Sequence, residues 1–186
     1  MKKYTPRPIP SSLKEMQVIV SYSDGEGARA GIGAAVWAPW LRKPLAVYTE
    51  VPERVRRHWS GYVDETGTYN DIFLAEALGP LVLLVTFPKV IKDALWLHYI
   101  DNTAAEASLI RGSSSLKHGD VVVGLTWSKI QSSRLWAYFD RVESKSNPVD
   151  GLPRGDFSGP WENVHVIEFP MAALRTFAAS CGDSFR

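Results

Sequence analysis

Residues 94–111, ALWLHYIDNTAAEASLIR, decide the fold. An apolar run of strand length (94–101) ends in Asp101, and a small-residue helix signal (102–111) follows at once, with Asn102 or Thr103 suited to cap it. A carboxylate at the tip of a buried strand is costly unless a proton, a hydrogen-bond donor or a cation compensates it. The same arrangement occurs at 17–24, QVIVSYSD, where another strand-like run ends in Asp24 and is followed by Gly25. Two strand-end acids point to one shared site.

Working outward, 17–51 reads as three strands, QVIVSYSD, GIGAAVWAP (31–39) and PLAVYTEV (44–51), joined by short connections that imply an antiparallel meander. Residues 52–68 are polar and turn-prone, with a short helix at their start where Pro52 suits a first turn. One long apolar helix is expected over 69–86; it contains Glu76, and Pro80 predicts a bend. After the strand and helix at 94–111, a further helix is expected at 118–132 and a fifth strand at 134–142. A loop with a short helical turn (144–155) follows, and then a tail with one strand-like run, VHVIEF (164–169), and an amphipathic helix (170–180). The expected architecture is an α/β domain over 17–155 with a five-stranded mixed sheet, its first three strands antiparallel and its faces flanked by helices. An extended proline-containing arm (1–16) precedes it, and a C-terminal extension with a helix (156–186) follows.

A chain of 186 residues with 45% hydrophobic and 22% charged residues has enough apolar material for one domain with a substantial core. The 21 basic and 20 acidic residues nearly cancel, so affinity for nucleic acid has to come from local clusters. One cysteine excludes an intramolecular disulfide, and with four histidines no Cys/His zinc spacing can be assembled. The N-terminus lacks the apolar segment of a secretory signal, and the longest apolar run (73–87) is interrupted by Glu76, Gly79 and Pro80 and too short to span a bilayer. A cytoplasmic or nuclear protein without membrane association is expected.

Four carboxylates stand out by position: Asp24, Glu76, Asp101 and Asp150. If the first and fourth strands lie side by side, Asp24 and Asp101 become neighbours, and a helix packed over them adds Glu76. Such acids repel one another, and hard divalent cations with oxygen ligands relieve the repulsion. Paired ions of this kind support in-line displacement at phosphorus. Each residue also has a plainer reading: Asp24 as a turn aspartate before glycine, Asp101 as a helix cap, Asp150 as the end of a loop.

Four words of the sequence, SYSDGEGARAGIGAAVW (21–37), FLAEALGPLVLL (73–84), YIDNTAAEASLIRG (99–112) and RVESKSNPVDGLPRG (141–155), resemble type 1 ribonuclease H in residue type and order. The resemblance is closer to the ribonuclease H domain of retroelement reverse transcriptases of the tyrosine-recombinase type, and covers 17–155. It implies a ribonuclease H-like fold and endonucleolytic hydrolysis of the RNA strand of an RNA–DNA hybrid by two Mg²⁺ ions, with Mn²⁺ able to substitute, leaving 5′-phosphate and 3′-hydroxyl ends. By position, Asp24 would bridge both ions, Glu76 and Asp101 would complete one site, and Asp150 the other. It is compatible both with a free-standing enzyme and with a portion of a larger reverse transcriptase polyprotein. The histidine that family members often carry before the last acid is absent from ESKSNP (143–148), which puts the accessory step of product release or proton transfer in doubt.

Candidate substrate contacts are Arg56, Arg57 and Trp59 in PERVRRHW (52–59), cations for phosphate beside an aromatic for stacking. Asn70 and Asn102 are candidates for minor-groove edges or a 2′-OH. Gly25, Lys145 and Asn147 stand beside the acids in sequence. Two rival functions fit the same residues: a nuclease or resolvase of this fold acting on DNA, and a non-catalytic nucleic-acid-binding scaffold.

Overall fold

The computed structural model of the chain describes residues 16–59 and 72–180. The N-terminal arm up to residue 15, the polar stretch from residue 60, the expected helix start at 69–71 and Asn70 lie outside them.

The meander forms as the short connections require. Strands β1 (Val18–Gly25), β2 (Gly31–Trp37) and β3 (Leu45–Glu50) pair antiparallel in succession, with Asp24 opposite Gly33. Helix α1 (Glu53–Trp59) follows and carries Arg56, Arg57 and Trp59. Helix α2 (Ile72–Thr86) is apolar nearly all round, and Leu74 through Leu84 are all buried, which makes it the central helix of the core. It runs on past Pro80 to Thr86; the proline lacks the N–H that would bond the carbonyl of Glu76, one turn earlier.

Strand β4 (Leu95–Ile100) lies parallel to β1, in a register that sets Tyr22 opposite Tyr99. Helix α3 (Thr103–Arg111) starts directly after it. Asn102 is its cap: its side-chain oxygen accepts from the backbone N–H groups of Ala104 and Ala105, both at 3.0 Å. Gly112 closes the helix in the left-handed conformation. Helix α4 (Lys117–Ser132) then returns the chain to β5 (Trp136–Arg141), which pairs parallel with β4.

Beyond β5, 3₁₀ turns at 144–146, 152–154 and 159–161 lead to β6 (His165–Val166), inside the strand-like run expected at 164–169, and to α5 (Met171–Ser180). The sheet has six strands rather than five, in the order β5-β4-β1-β2-β3-β6. Two residues of VHVIEF pair parallel with the open edge of β3, so the strand-like run expected in the C-terminal extension becomes the sixth strand of the sheet. The tail is built into the fold, since Phe169 and Leu174 join the main core.

Close backbone approaches tie these elements at one end of the sheet. A Cβ on Gly25 would stand 2.8 Å from the backbone nitrogen of Glu76, so α2 crosses the end of β1 where no side chain intervenes. A Cβ on Gly33 would stand 2.3 Å from the Cβ of Leu152, so the 144–155 loop lies directly on β2. Both contacts need glycine for space. Gly25→Ala is expected to lower stability in urea by about 1–3 kcal/mol through overpacking. Gly27→Ala, where the nearest atom is 3.9 Å away, should stay within about 0.5 kcal/mol of the parent; equal effects at the two positions would contradict the crossing.

Candidate active site

Parallel pairing of β1 with β4 brings the two strand-end acids together, and the α2 crossing delivers Glu76 to them. Asp24, Glu76 and Asp101 each present a carboxylate oxygen, and these oxygens lie within 4.8 Å of one another. Asp24 is 3% exposed and Glu76 2%. Asp101 is half-buried at the rim. Oδ2 of Asp24 and Oε2 of Glu76 are buried without a hydrogen-bond partner. Buried oxygens of that kind cost free energy until something compensates them.

Their protonation reflects this crowding. Burial, and then the negative charges of Asp101 and Asp150, push Asp24 up to about 7, against a hydrogen bond with Glu76 and the nearby charge of Arg154. Burial also drives Glu76, to about 10, with its hydrogen bond to Asp101 and the charge of Asp24 adding to the shift; the backbone N–H of Gly25 donates to it and works the other way. At neutral pH this cluster retains protons that isolated carboxylates have lost. A divalent cation is the other way to hold such acids together, and an all-oxygen donor set of carboxylates suits Mg²⁺, Mn²⁺ or Ca²⁺ and not a soft metal.

Asp150 stands outside this group of three. It forms a two-pronged ion pair with Arg154, Nη1–Oδ2 2.7 Å and Nη2–Oδ1 3.2 Å, and is near enough for its charge to reach Asp24. The sequence reading overlooked Arg154, although the four-residue spacing from Asp150 was there to be read.

The remaining candidates separate. Gly25 provides the helix crossing and an N–H to Glu76. Asn147 is buried; its amide donates to the carbonyl of Ser23 at 3.1 Å, and its Oδ1 accepts from the N–H of Val149 at 3.3 Å, which anchors the loop that carries Asp150. Lys145 is exposed two residues before it, and Asn102 caps α3 beside Asp101. Arg56 reaches the carbonyl of Gly27 in the turn after β1.

No family model matches the sequence, and neither does any curated protein. Solved structures do. The N-terminal RNase H domain of Rv2228c from Mycobacterium tuberculosis, solved as a fusion with maltose-binding protein, superposes with a TM-score of 0.53 at 17% identity over 89% of this chain and 99% of that one. RNase H1 from the halophilic archaeon Halobacterium salinarum NRC-1 gives a TM-score of 0.53 at 13% identity over 73% and 93%. At such identities the likeness establishes the ribonuclease H-like fold.

The raised acids fix how stability depends on pH without metal. A folded-state pKa above the unfolded one means that the folded chain binds protons more tightly, so stability falls as pH rises. The contribution of Asp24 is complete below the ordinary carboxylate range and is lost as pH rises through about 7; that of Glu76 continues to be lost up to about 10. In chelator, Tm should therefore fall from about pH 5 to about pH 8. Asp24→Asn should flatten that slope, and a Tm that rises across the window would contradict the assignment.

Proposed function

We propose that this chain is a metal-dependent endoribonuclease that hydrolyses the RNA strand of RNA–DNA hybrids, leaving 5′-phosphate and 3′-hydroxyl ends. The observation that carries the reading is the convergence of three carboxylates at one end of a ribonuclease H-like sheet, two of them buried with an unpartnered oxygen. A scaffold gains nothing from such repulsion, whereas a hydrolase that handles phosphodiesters needs it compensated by cations. The structural likeness to RNase H domains agrees in fold, and the four sequence words agree in the order of the acids.

In this reading Asp24, Glu76 and Asp101 hold Mg²⁺, with Mn²⁺ as a substitute, and Asp150 completes a second position. When bound, the ions supply an activated water and neutralise charge on the scissile phosphate. The protein does the rest. Asp24 and Glu76 give up the protons they retain in the bare site, so the site is fully anionic only when loaded. Asp150 must leave Arg154 to serve as a ligand, which frees the guanidinium to face a phosphate oxygen. Asn102 spends Oδ1 on the α3 cap and keeps Nδ2 as a donor for the 2′-OH that distinguishes RNA from DNA. Lys145 and the basic residues of α1, Arg56 and Arg57, together with Trp59, supply contacts to the nucleic-acid backbone. The resemblance to retroelement sequences supports a reading in which the activity works beside a reverse transcriptase, where hybrids arise.

A labelled hybrid, incubated with Mg²⁺ and with chelator, tests this directly. Cleavage is expected only with metal, and Asp101→Asn should reduce it by more than the roughly 100-fold at the upper end for residues that merely support a metal ligand. Cleavage of duplex or branched DNA in preference to the hybrid would favour the DNA nuclease, and full activity in Asp101→Asn would overturn the site.

A further inference from the structure

The inward-facing side chains of β1 next to the site are hydroxyls. Ser21 and Ser23 lie two apart on one face of the strand, both buried, and His98 of β4 is 0% exposed beside them. Nδ1 of His98 is 2.7 Å from the Ser21 hydroxyl and Nε2 is 3.0 Å from the Ser23 hydroxyl. The Ser21 oxygen also accepts from the indole N–H of Trp96 at 2.7 Å. Burial keeps the ring uncharged, with its pKa lowered to about 3. Whichever nitrogen then carries the single proton, one serine donates to the ring and the other accepts from it, so both ring nitrogens have a hydroxyl partner in either tautomer.

Every element that supplies an acid meets at Ser23. It precedes Asp24 in β1, and its hydroxyl meets the β4 imidazole three residues before Asp101. Gly79 of α2, one turn beyond Glu76, packs on it so closely that a Cβ there would lie 2.2 Å from its hydroxyl. Its carbonyl accepts from Asn147, three residues before Asp150. On the opposite face, the register pair Tyr22 and Tyr99 stack with centroids 5.0 Å apart.

We infer that His98 is a positioning residue for the acid site: its two hydrogen bonds across β1 and β4 hold Asp24 and Asp101 at the separation a shared divalent cation requires. The inference rests on the metal-site reading above. Replacing all partners of a buried hydrogen bond by apolar groups of the same shape can be nearly neutral for stability, so what this network contributes lies in the geometry it fixes. It fixes register. A slip of one residue between these parallel strands would carry Asp101 about 3.3 Å along the sheet and turn it to the other face.

The test uses the full chain and three variants, His98→Leu, His98→Gln and Ser23→Ala, with thermal unfolding, Mn²⁺ binding by calorimetry and the Mg²⁺ dependence of hybrid cleavage. Loss of positioning should raise the metal concentration for half-maximal cleavage by about 10- to 100-fold in His98→Leu, as for outer-shell partners of metal ligands. His98→Gln, which keeps a polar group in reach of the serines, should recover part of that loss. If His98→Leu does not fold, the same shift is expected in Ser23→Ala. Unchanged Mn²⁺ affinity in the folded variants, with only Tm altered, would overturn the inference and leave the metal site standing. Failure of the wild-type chain to bind Mn²⁺ would overturn both.

Discussion

Three carboxyl groups whose oxygens lie within 4.8 Å of one another set the terms for the rest of this molecule. Left alone they repel, and two are removed from the water that would screen them. They stay together because the strands and the helix that carry them are joined more strongly than the acids push apart. The parallel β1–β4 ladder fixes two of the groups, and the bare backbone of Gly25 lets α2 approach closely enough to add the third. The result is a site in which burial and mutual repulsion hold Asp24 and Glu76 toward their protonated forms, and the proposed cation is what would replace those protons.

Seen this way, several features of the packing serve one purpose. The apolar surface of α2, buried from Leu74 to Leu84, anchors the helix over the sheet and carries Glu76 into place against its desolvation cost. The 144–155 loop rests on Gly33 and is held by Asn147, so Asp150 stays close to the cluster while paired with Arg154. An acid parked on its own arginine can be recruited without rebuilding the loop. Among the described residues, Arg154 is the cationic side chain paired with Asp150.

Much of this was legible in the sequence, and the reasons differ by element. The meander followed from short connections, and the βα unit at 94–111 from a strand that runs straight into an Asn cap; both are local signals. The sequence grouped Asp24, Glu76 and Asp101 on the condition that the first and fourth strands are neighbours, and the parallel β1–β4 pairing meets that condition, while Asp150, expected in the same group, stands outside the three. The run VHVIEF was legible as strand-like, but its pairing with β3 was not, because that depends on an edge more than a hundred residues earlier in the chain. The roles of Gly25 and Asn147 depend on what approaches them from distant parts of the chain, which no local pattern records. One signal was present and unread: the inward positions of β1 are Ser21 and Ser23 where a core strand would carry valine or isoleucine, and a strand that buries hydroxyls must have a partner for them.

The central claim is that Asp24 and Glu76 exchange protons for a divalent cation, and proton release on metal binding tests it most directly. Mg²⁺ or Mn²⁺ is titrated into the chain near pH 7 by calorimetry in buffers of different ionisation enthalpy. With Asp24 raised to about 7 and Glu76 to about 10, the account predicts that binding expels protons, and that the release diminishes in Glu76→Gln. Binding without proton release, or release undiminished in Glu76→Gln, would contradict it.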